Sequence, residues 1–473
     1  MLTKIVKYSS AILTSNVITS ALSFVATMLI AKYLSKEDFG FFCHYVLVYS
    51  TVQSFFMAGT QQSSITFINL DEDNYIAYIQ LLFTFFAVFS IIMFGVAGIS
   101  CFFTSRSTSI ALFTVVPSLF CMLSISLFRA KMDFKYELGF KILISSINSI
   151  GTIAFIILIR SKYVPIIADL LSVLIPSLLL LSILYRKLLE NSYVSIFVNI
   201  FNKKYAKFWH DTRYLWVAGI CFIINSSITQ LLTDAYLGIE ALAMFFFVMT
   251  IWELIHRPIS IVQQTILPVF TLEQQINIKQ LYDIARSSLV VLPLICQLVL
   301  LVVPRIVEIY YADKYAGFRQ YLSLLSLSVP ILSVEFIYAG LFIAKGYVKR
   351  NRNIMLISMI INVPLIFAML YKYGIFGAFL GKALSMIVSG GVALFYALIY
   401  EKSFGFRMVM NIVCVSIAHL ISVFMIYYYQ NIIAVLGIVM YLFITNTAKL
   451  WSFSELNVSV KKFSRSINWT ISR

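Results

Sequence analysis

Apolar runs of about 20 residues recur along this chain from one end to the other, and they leave it few ways to fold. A run of that length crosses the hydrocarbon core of a bilayer as a helix, because lipid offers no partners for backbone N–H and C=O groups. The short alternating segments of a membrane barrel are not the pattern here. The spacing predicts spans at 10–31, 39–60, 76–103, 109–128, 138–159, 164–185, 214–235, 241–268, 287–307, 320–344, 353–371, 374–400, 408–428 and 431–447. Composition agrees: 61% of residues are hydrophobic and 12% charged, roughly half the charge of a soluble domain. The expected fold class is all-α and polytopic, with about 14 transmembrane helices.

Lys4 and Lys7 precede a first apolar segment of full spanning length, which reads as a signal anchor rather than a cleaved peptide. A net charge of +16 invites a nucleic-acid reading, but topology accounts for it. With the N-terminus in the cytoplasm, most of the 36 Lys and Arg fall in cytoplasmic segments, and only Arg257 and Lys382 remain within spans. Both termini are then cytoplasmic, and no nucleic-acid partner is expected. The six cysteines lie within spans without metal-ligand spacing and read as small apolar fillers.

Hairpins are short except for one cytoplasmic connection, 186–213, where Lys203, Lys204 and Lys207 stand among aromatics. This suits an amphipathic helix on anionic lipid. It separates a first lobe (1–185) from a second (214–400), with two further spans and a cytoplasmic tail in 401–473. The two halves echo each other. Ala31 to Phe42 reads AKYLSKEDFGFF and Asp234 to Phe245 reads DAYLGIEALAMF, with Tyr33-Leu34 matching Tyr236-Leu237, Glu37 matching Glu240 and Phe42 matching Phe245. Gln61-Gln62 and Gln263-Gln264 recur near the same offset. Six spans per half makes these parallel repeats about an axis along the membrane normal, and substrate sites in such folds lie between the halves.

Polar residues at membrane depth are costly and mark cavities or pathways. The densest group is WELIHRPISIVQQ, Trp252 to Gln264. Glu253, His256, Arg257, Ser260 and Gln264 share a helical stripe, and Pro258 makes a kink expected there. Arg257 reads either as a ligand for an anionic cargo or as the i,i+4 partner of Glu253. His256 titrates or merely bonds a carbonyl. Lys382, with Ser385 and Ser389, forms a second stripe, its plainer reading being a lysine that snorkels to an interface. Glu335, Asp169 and Asp234 are candidates for proton or sodium coupling, the last two lying near span ends as ordinary boundary residues would. Asn16, Ser20, Ser23 and Thr27 line one face of the first span, as helix-packing contacts or as cargo ligands. No catalytic cluster and no metal site are expected: Asp71-Glu72-Asp73 stands alone on a short hairpin.

The first hairpin, with Asn16 in a Ser/Thr-rich first span, AKYLSKEDFGFF and then AGTQQSSITF, resembles the polysaccharide-transport family. These are Wzx-type O-antigen flippases of the multidrug/oligosaccharidyl-lipid/polysaccharide (MOP) exporter superfamily. LLTDAYLGIEALAMFF followed by ILPVF is similar to that family's second-lobe signature. The resemblance implies two six-helix lobes around a hydrated cationic cavity in the bacterial inner membrane. It also implies alternating access and passage of an undecaprenyl-pyrophosphate-linked oligosaccharide from the cytoplasmic to the periplasmic leaflet. Arg257, Lys382, His256, Glu253, Asn16 and Gln264 are the cavity residues expected. No cofactor is implied beyond proton or sodium coupling, and the expected partners are the lipid-linked glycan, membrane lipid, a polysaccharide polymerase and a chain-length regulator. Three alternatives stay open: an ion-coupled multidrug antiporter, a peptidoglycan-precursor flippase and a membrane enzyme of polysaccharide assembly. The antiporter generally needs an embedded acid in its first lobe, where Asp169 is the candidate. The precursor flippase usually carries several arginines in its first two spans, where this chain has only Lys32 at a boundary.

Overall fold

A computed structural model describes residues 2–58, 75–130, 134–189, 202, 205–272, 278–333, 348–400, 405–429 and 432–447. Regular structure among these residues is helical throughout. In chain order the helices are α1 (Leu2–Tyr33), α2 (Lys36–Met57), α3 (Tyr75–Phe103), α4 (Arg106–Ala130), α5 (Phe134–Ile159), α6 (Tyr163–Leu189) and α7 (Ala206–Leu237). They continue with α8 (Ile239–Leu272), α9 (Ile278–Tyr311), α10 (Phe318–Ser326), α11 (Val348–Tyr400), α12 (Gly405–Tyr428) and α13 (Ile432–Thr447). Eight of the described helices are long and apolar enough to cross a membrane. Their outer faces carry bare apolar residues, with Ile91 73%, Leu158 77% and Phe102 84% exposed. Such faces are stable only against lipid.

Turn chemistry sets where the helices reverse. The Ser35 side chain caps α2 by accepting the Asp38 N–H at 3.0 Å, with Glu37 and Asp38 in the first turn where acids favour a helix start. Gly238 ends α7 at a positive φ, 82°, that favours glycine, and donates its N–H to the Asp234 carbonyl. The spans expected at 353–371 and 374–400 are the two helical arms of α11, separated by the non-helical Gly374 (φ 58°, ψ −136°). Only glycine adopts that backbone readily. Past the bend, Gly377 lies so close to Met369 that a Cβ would overlap its carbonyl, and Gly381 packs on Ile366.

Two compact units are present, Ser15–Phe246 and Met1–Thr14 with Phe247–Arg473. α1 and α8 each run from one unit into the other. The first unit takes in α7, which packs closely on α2: Gly219 sits on Ala58 and the Trp216 indole N–H donates to the Phe55 carbonyl at 3.3 Å. The core of this unit is aromatic, built on Tyr78, Phe86 and Phe208 with Leu82 and Leu119. That of the other packs Leu289, Ala393, Met408, Ile412, Val415 and Tyr441.

Gly377→Val should lower the unfolding temperature of the detergent-solubilised protein, because the added side chain would force the arms of α11 apart. Overpacking of this kind costs about 1–3 kcal/mol. Gly391→Ala, with open space around its Cβ, should leave a thermal scan unchanged.

Candidate functional site

Within the unit Ser15–Phe246 the polar groups converge on Asp169. This residue lies about two turns into α6, within the apolar stretch Tyr163–Leu180. Its Oδ2 accepts from the Tyr45 hydroxyl of α2 at 2.9 Å and its Oδ1 from the Asn148 amide of α5 at 2.7 Å. Tyr45 is fully buried and also lies 3.2 Å from Thr114 Oγ1 of α4. Thr114 in turn reaches the Ile110 carbonyl at 2.9 Å, and Thr152 donates to Asn148 Oδ1 at 3.3 Å. One acid thus gathers four helices.

Counting protons shows what this chain of oxygens can do. Each hydroxyl has one proton to give. With Asp169 ionised, Tyr45 donates to it, Thr114 donates to Ile110, and the Tyr45–Thr114 contact holds no proton. With Asp169 protonated, the carboxyl donates to Tyr45, Tyr45 to Thr114 and Thr114 to Ile110, so every proton serves once. Both protonation states fit the same helix packing.

Asp234, the second expected coupling acid, sits near the end of α7 and is bonded to a residue that sequence reasoning passed over. His44 Nδ1 of α2 lies 2.6 Å from Asp234 Oδ2, and His44 Nε2 lies 3.0 Å from Thr108 Oγ1 of α4. A lone histidine in an apolar helix gives no spacing signal, so only tertiary contact reveals the pair. Glu137 also went unremarked: fully buried on α5, it bonds Lys141 one turn on at 2.8 Å.

In the other unit Lys382 lies on the second arm of α11, only 7% exposed. It is buried in protein. On the same arm the Ser385 hydroxyl donates to the Lys382 carbonyl at 2.8 Å, and Ser389 accepts from the amide of buried Asn362 of the first arm at 2.9 Å. Taking an ammonium out of water costs several kcal/mol, which is why such a group marks a purpose rather than a filler. A separate buried network joins α9, α10 and α12. His419 Nε2 lies 3.0 Å from the Ser326 carbonyl, and its Nδ1 lies 3.0 Å from Gln297 Nε2. A carbonyl accepts only, so Nε2 carries the proton and Nδ1 accepts from the amide. This histidine is a structural neutral.

Of the remaining expected residues, Glu253 is exposed on α8. The side chains of His256, Arg257, Ser260 and Gln264 on that helix, and of Asn16 on α1, lie outside the described residues, as does Glu335. α8 continues as helix through Pro258 to Leu272. The acidic run 71–73 and residues 190–201 and 203–204 of the 186–213 connection are likewise outside. Thr27 turns its hydroxyl back to the Ser23 carbonyl at 2.9 Å, a helix-internal bond. No group of three or more metal-ligating residues occurs among the described residues.

No protein-family model matches the sequence, and no curated protein does. Among solved structures the chain is similar to "Lipid II flippase MurJ, inward closed conformation" at 16% identity and TM-score 0.71, covering 92% of this chain and 97% of that one. It is also similar to an outward-facing multidrug resistance MATE transporter of the MOP superfamily, at 14% identity and TM-score 0.62, covering 84% of this chain and 95% of that one. A MOP-superfamily transporter from Pyrococcus furiosus, also at 14% identity and TM-score 0.62, covers 84% of this chain and 94% of that one. At these identities the likeness is one of fold: the chain has the polytopic helical fold of MOP-superfamily transporters.

Proposed function

We propose that this chain is a transporter, not an enzyme, and that it carries an anionic polyprenyl-pyrophosphate-linked oligosaccharide from the cytoplasmic to the periplasmic leaflet of the bacterial inner membrane. The observation that carries the reading is the buried Lys382, in a fold shared over 92% of the chain with a lipid II flippase. A pyrophosphate stripped of water is prohibitively costly in hydrocarbon, whereas the polyprenyl tail gains about 0.8 kcal/mol per buried CH₂ by staying there. The headgroup therefore needs cations at membrane depth and the tail needs none. Arg257 is assigned to the same path as Lys382, with His256, Glu253, Gln264 and Asn16 as polar lining. The fold likeness favours a peptidoglycan precursor as cargo. The scarcity of arginine in the first two helices favours an O-antigen or related surface repeat unit. Both cargoes present an anionic headgroup and make the same demand. A polysaccharide polymerase and chain-length regulator are the partners expected beside a surface-glycan flippase.

A second reading, an ion-coupled multidrug antiporter, is favoured by Asp169, an acid at membrane depth whose surroundings accept either protonation state. Coupling through Asp169 is compatible with flipping as well, with Glu335 as the other coupling candidate.

Reconstituted into liposomes, the protein should redistribute lipid-linked oligosaccharide between leaflets without making a new glycosidic bond. Lys382→Met and Arg257→Ala should each slow this by about 10- to 150-fold, the worth of one hydrogen bond to a charged group, at normal membrane expression. Wild-type rates in both variants, or transport of organic cations in place of either glycan lipid, would remove the flippase reading. Asp169→Asn, which keeps the shape of the side chain, should flatten the dependence of transport on an imposed pH gradient. An undiminished dependence would leave Asp169 a structural group, and Glu335→Gln then decides whether coupling lies there.

A further inference from the structure

In the unit that holds Phe247–Arg473, α9, α10 and α12 pack on one another. Where α9 ends, the chain is turned with little freedom. The apolar span of α9 stops at Tyr311. A short 3-10 turn follows over Ala312–Tyr315, and Gly317 (φ 85°) leads into α10 at Phe318. Tyr315 and Phe318 are buried, and both pack on Phe247: the Tyr315 ring is stacked at 3.9 Å and that of Phe318 is edge-on at 5.6 Å. Tyr321 stacks on Phe379 at 4.4 Å. Arg319 therefore stands between aromatic anchors that fix its backbone.

A guanidinium has five N–H donors and no acceptor. The Nε and Nη1 atoms of Arg319 are shielded from the surface and have no hydrogen-bond partner among the described residues. Burying a charged donor unbonded is costly. The ionisable groups near enough to act on Arg319 are Glu308 and Arg305 of α9 and Tyr427 of α12. Glu308 attracts it, whereas burial and the second guanidinium, Arg305, both oppose its charge. An anion seated between the two arginines answers the buried donors and the repulsion together.

The surroundings point to the class of anion. Arg305 belongs to an exposed stripe of α9 that is otherwise apolar, with Val302, Ile306 and Ile309. Ile309 is 78% exposed. α12 offers a similar face in Leu420, Phe424 and Tyr428, the last two with rings 4.5 Å apart. Tyr310, Tyr427 and Tyr428 mark headgroup depth, where tyrosine collects at a membrane surface. Cations at that depth above bare apolar stripes suit a phosphate with acyl chains attached.

We propose that Arg319 and Arg305 bind the phosphate of an anionic phospholipid, whose chains lie along the exposed faces of α9 and α12. Phosphate oxygens accept from Nε and Nη1 of Arg319, and Arg305 closes the site from α9. Such guanidinium–phosphate bonds are charge-assisted and directional. Two guanidiniums and the Glu308 carboxylate leave one net positive charge, which a singly charged phospholipid cancels and a zwitterionic one does not. The bound lipid fastens the ends of three helices. The site uses none of the residues assigned to the cargo.

Titration of the detergent-solubilised full chain with phosphatidylglycerol or phosphatidylethanolamine of the same acyl chains, read by native mass spectrometry, tests this. The first phosphatidylglycerol should bind about fivefold more tightly than phosphatidylethanolamine, the worth of one net charge at a membrane surface. Arg319→Gln and Arg305→Gln should each weaken phosphatidylglycerol binding by about tenfold, the loss of a hydrogen bond to a charged group, and erase the preference. Arg106→Gln, which removes an exposed arginine of the other unit, should keep it. Arg305 is itself exposed, so its variant decides the matter should Arg319→Gln fail to fold. Equal affinity for the two lipids, or a preference that survives in the folded variants, overturns the site. Displacement of phosphatidylglycerol by equimolar inorganic phosphate assigns it to a free ion and overturns the lipid.

Discussion

A carboxylate inside a membrane protein must be met by donors from the protein, since lipid offers none. Asp169 meets that demand by drawing on Tyr45 of α2 and Asn148 of α5, and through Tyr45 on Thr114 of α4. The packing of the unit Ser15–Phe246 depends on this meeting. Its aromatic core is non-directional and would tolerate sliding, whereas hydrogen bonds of 2.7 and 2.9 Å to one acid fix the depth and rotation of each helix that supplies them. The same bonds leave the group free to change protonation, because the oxygens beyond it can reverse their donors.

In the other unit, one described polar network is built from uncharged groups. His419 is held neutral between the Ser326 carbonyl and the Gln297 amide, and Tyr441 donates to the Val290 carbonyl at 2.8 Å. These bonds tie α9, α10, α12 and α13 together as the Asp169 network ties its helices. Against that neutral background, Lys382 stands out as a buried cation on the arm of α11 that returns from Gly374.

On the proposed reading, Asp169 and Lys382 have separate tasks. An embedded acid can take up and release a driving proton, while an embedded cation suits a phosphate-bearing headgroup. The His44–Asp234 contact joins α2 to α7 within the first unit.

How much of this was legible before the fold is a matter of what each signal depends on. Helix number and depth depend on local apolar length and needed no tertiary information. The turn at Gly374, between the spans predicted at 353–371 and 374–400, is as local, because a single glycine at a positive φ is enough to reverse the chain. Lys382 and Asp169 were singled out because ionisable residues are rare in apolar runs, which is again a local property. Their settings were not legible: nothing in ILIRSKYVPIIADLL says that Asp169 faces Tyr45, more than a hundred residues earlier. Nor does a lone His44 announce Asp234. Composition and periodicity alone determined a many-helix membrane protein with two echoing halves. The tertiary structure decided which polar residues meet, because hydrogen bonds are directional and short-ranged while hydrophobic burial is neither.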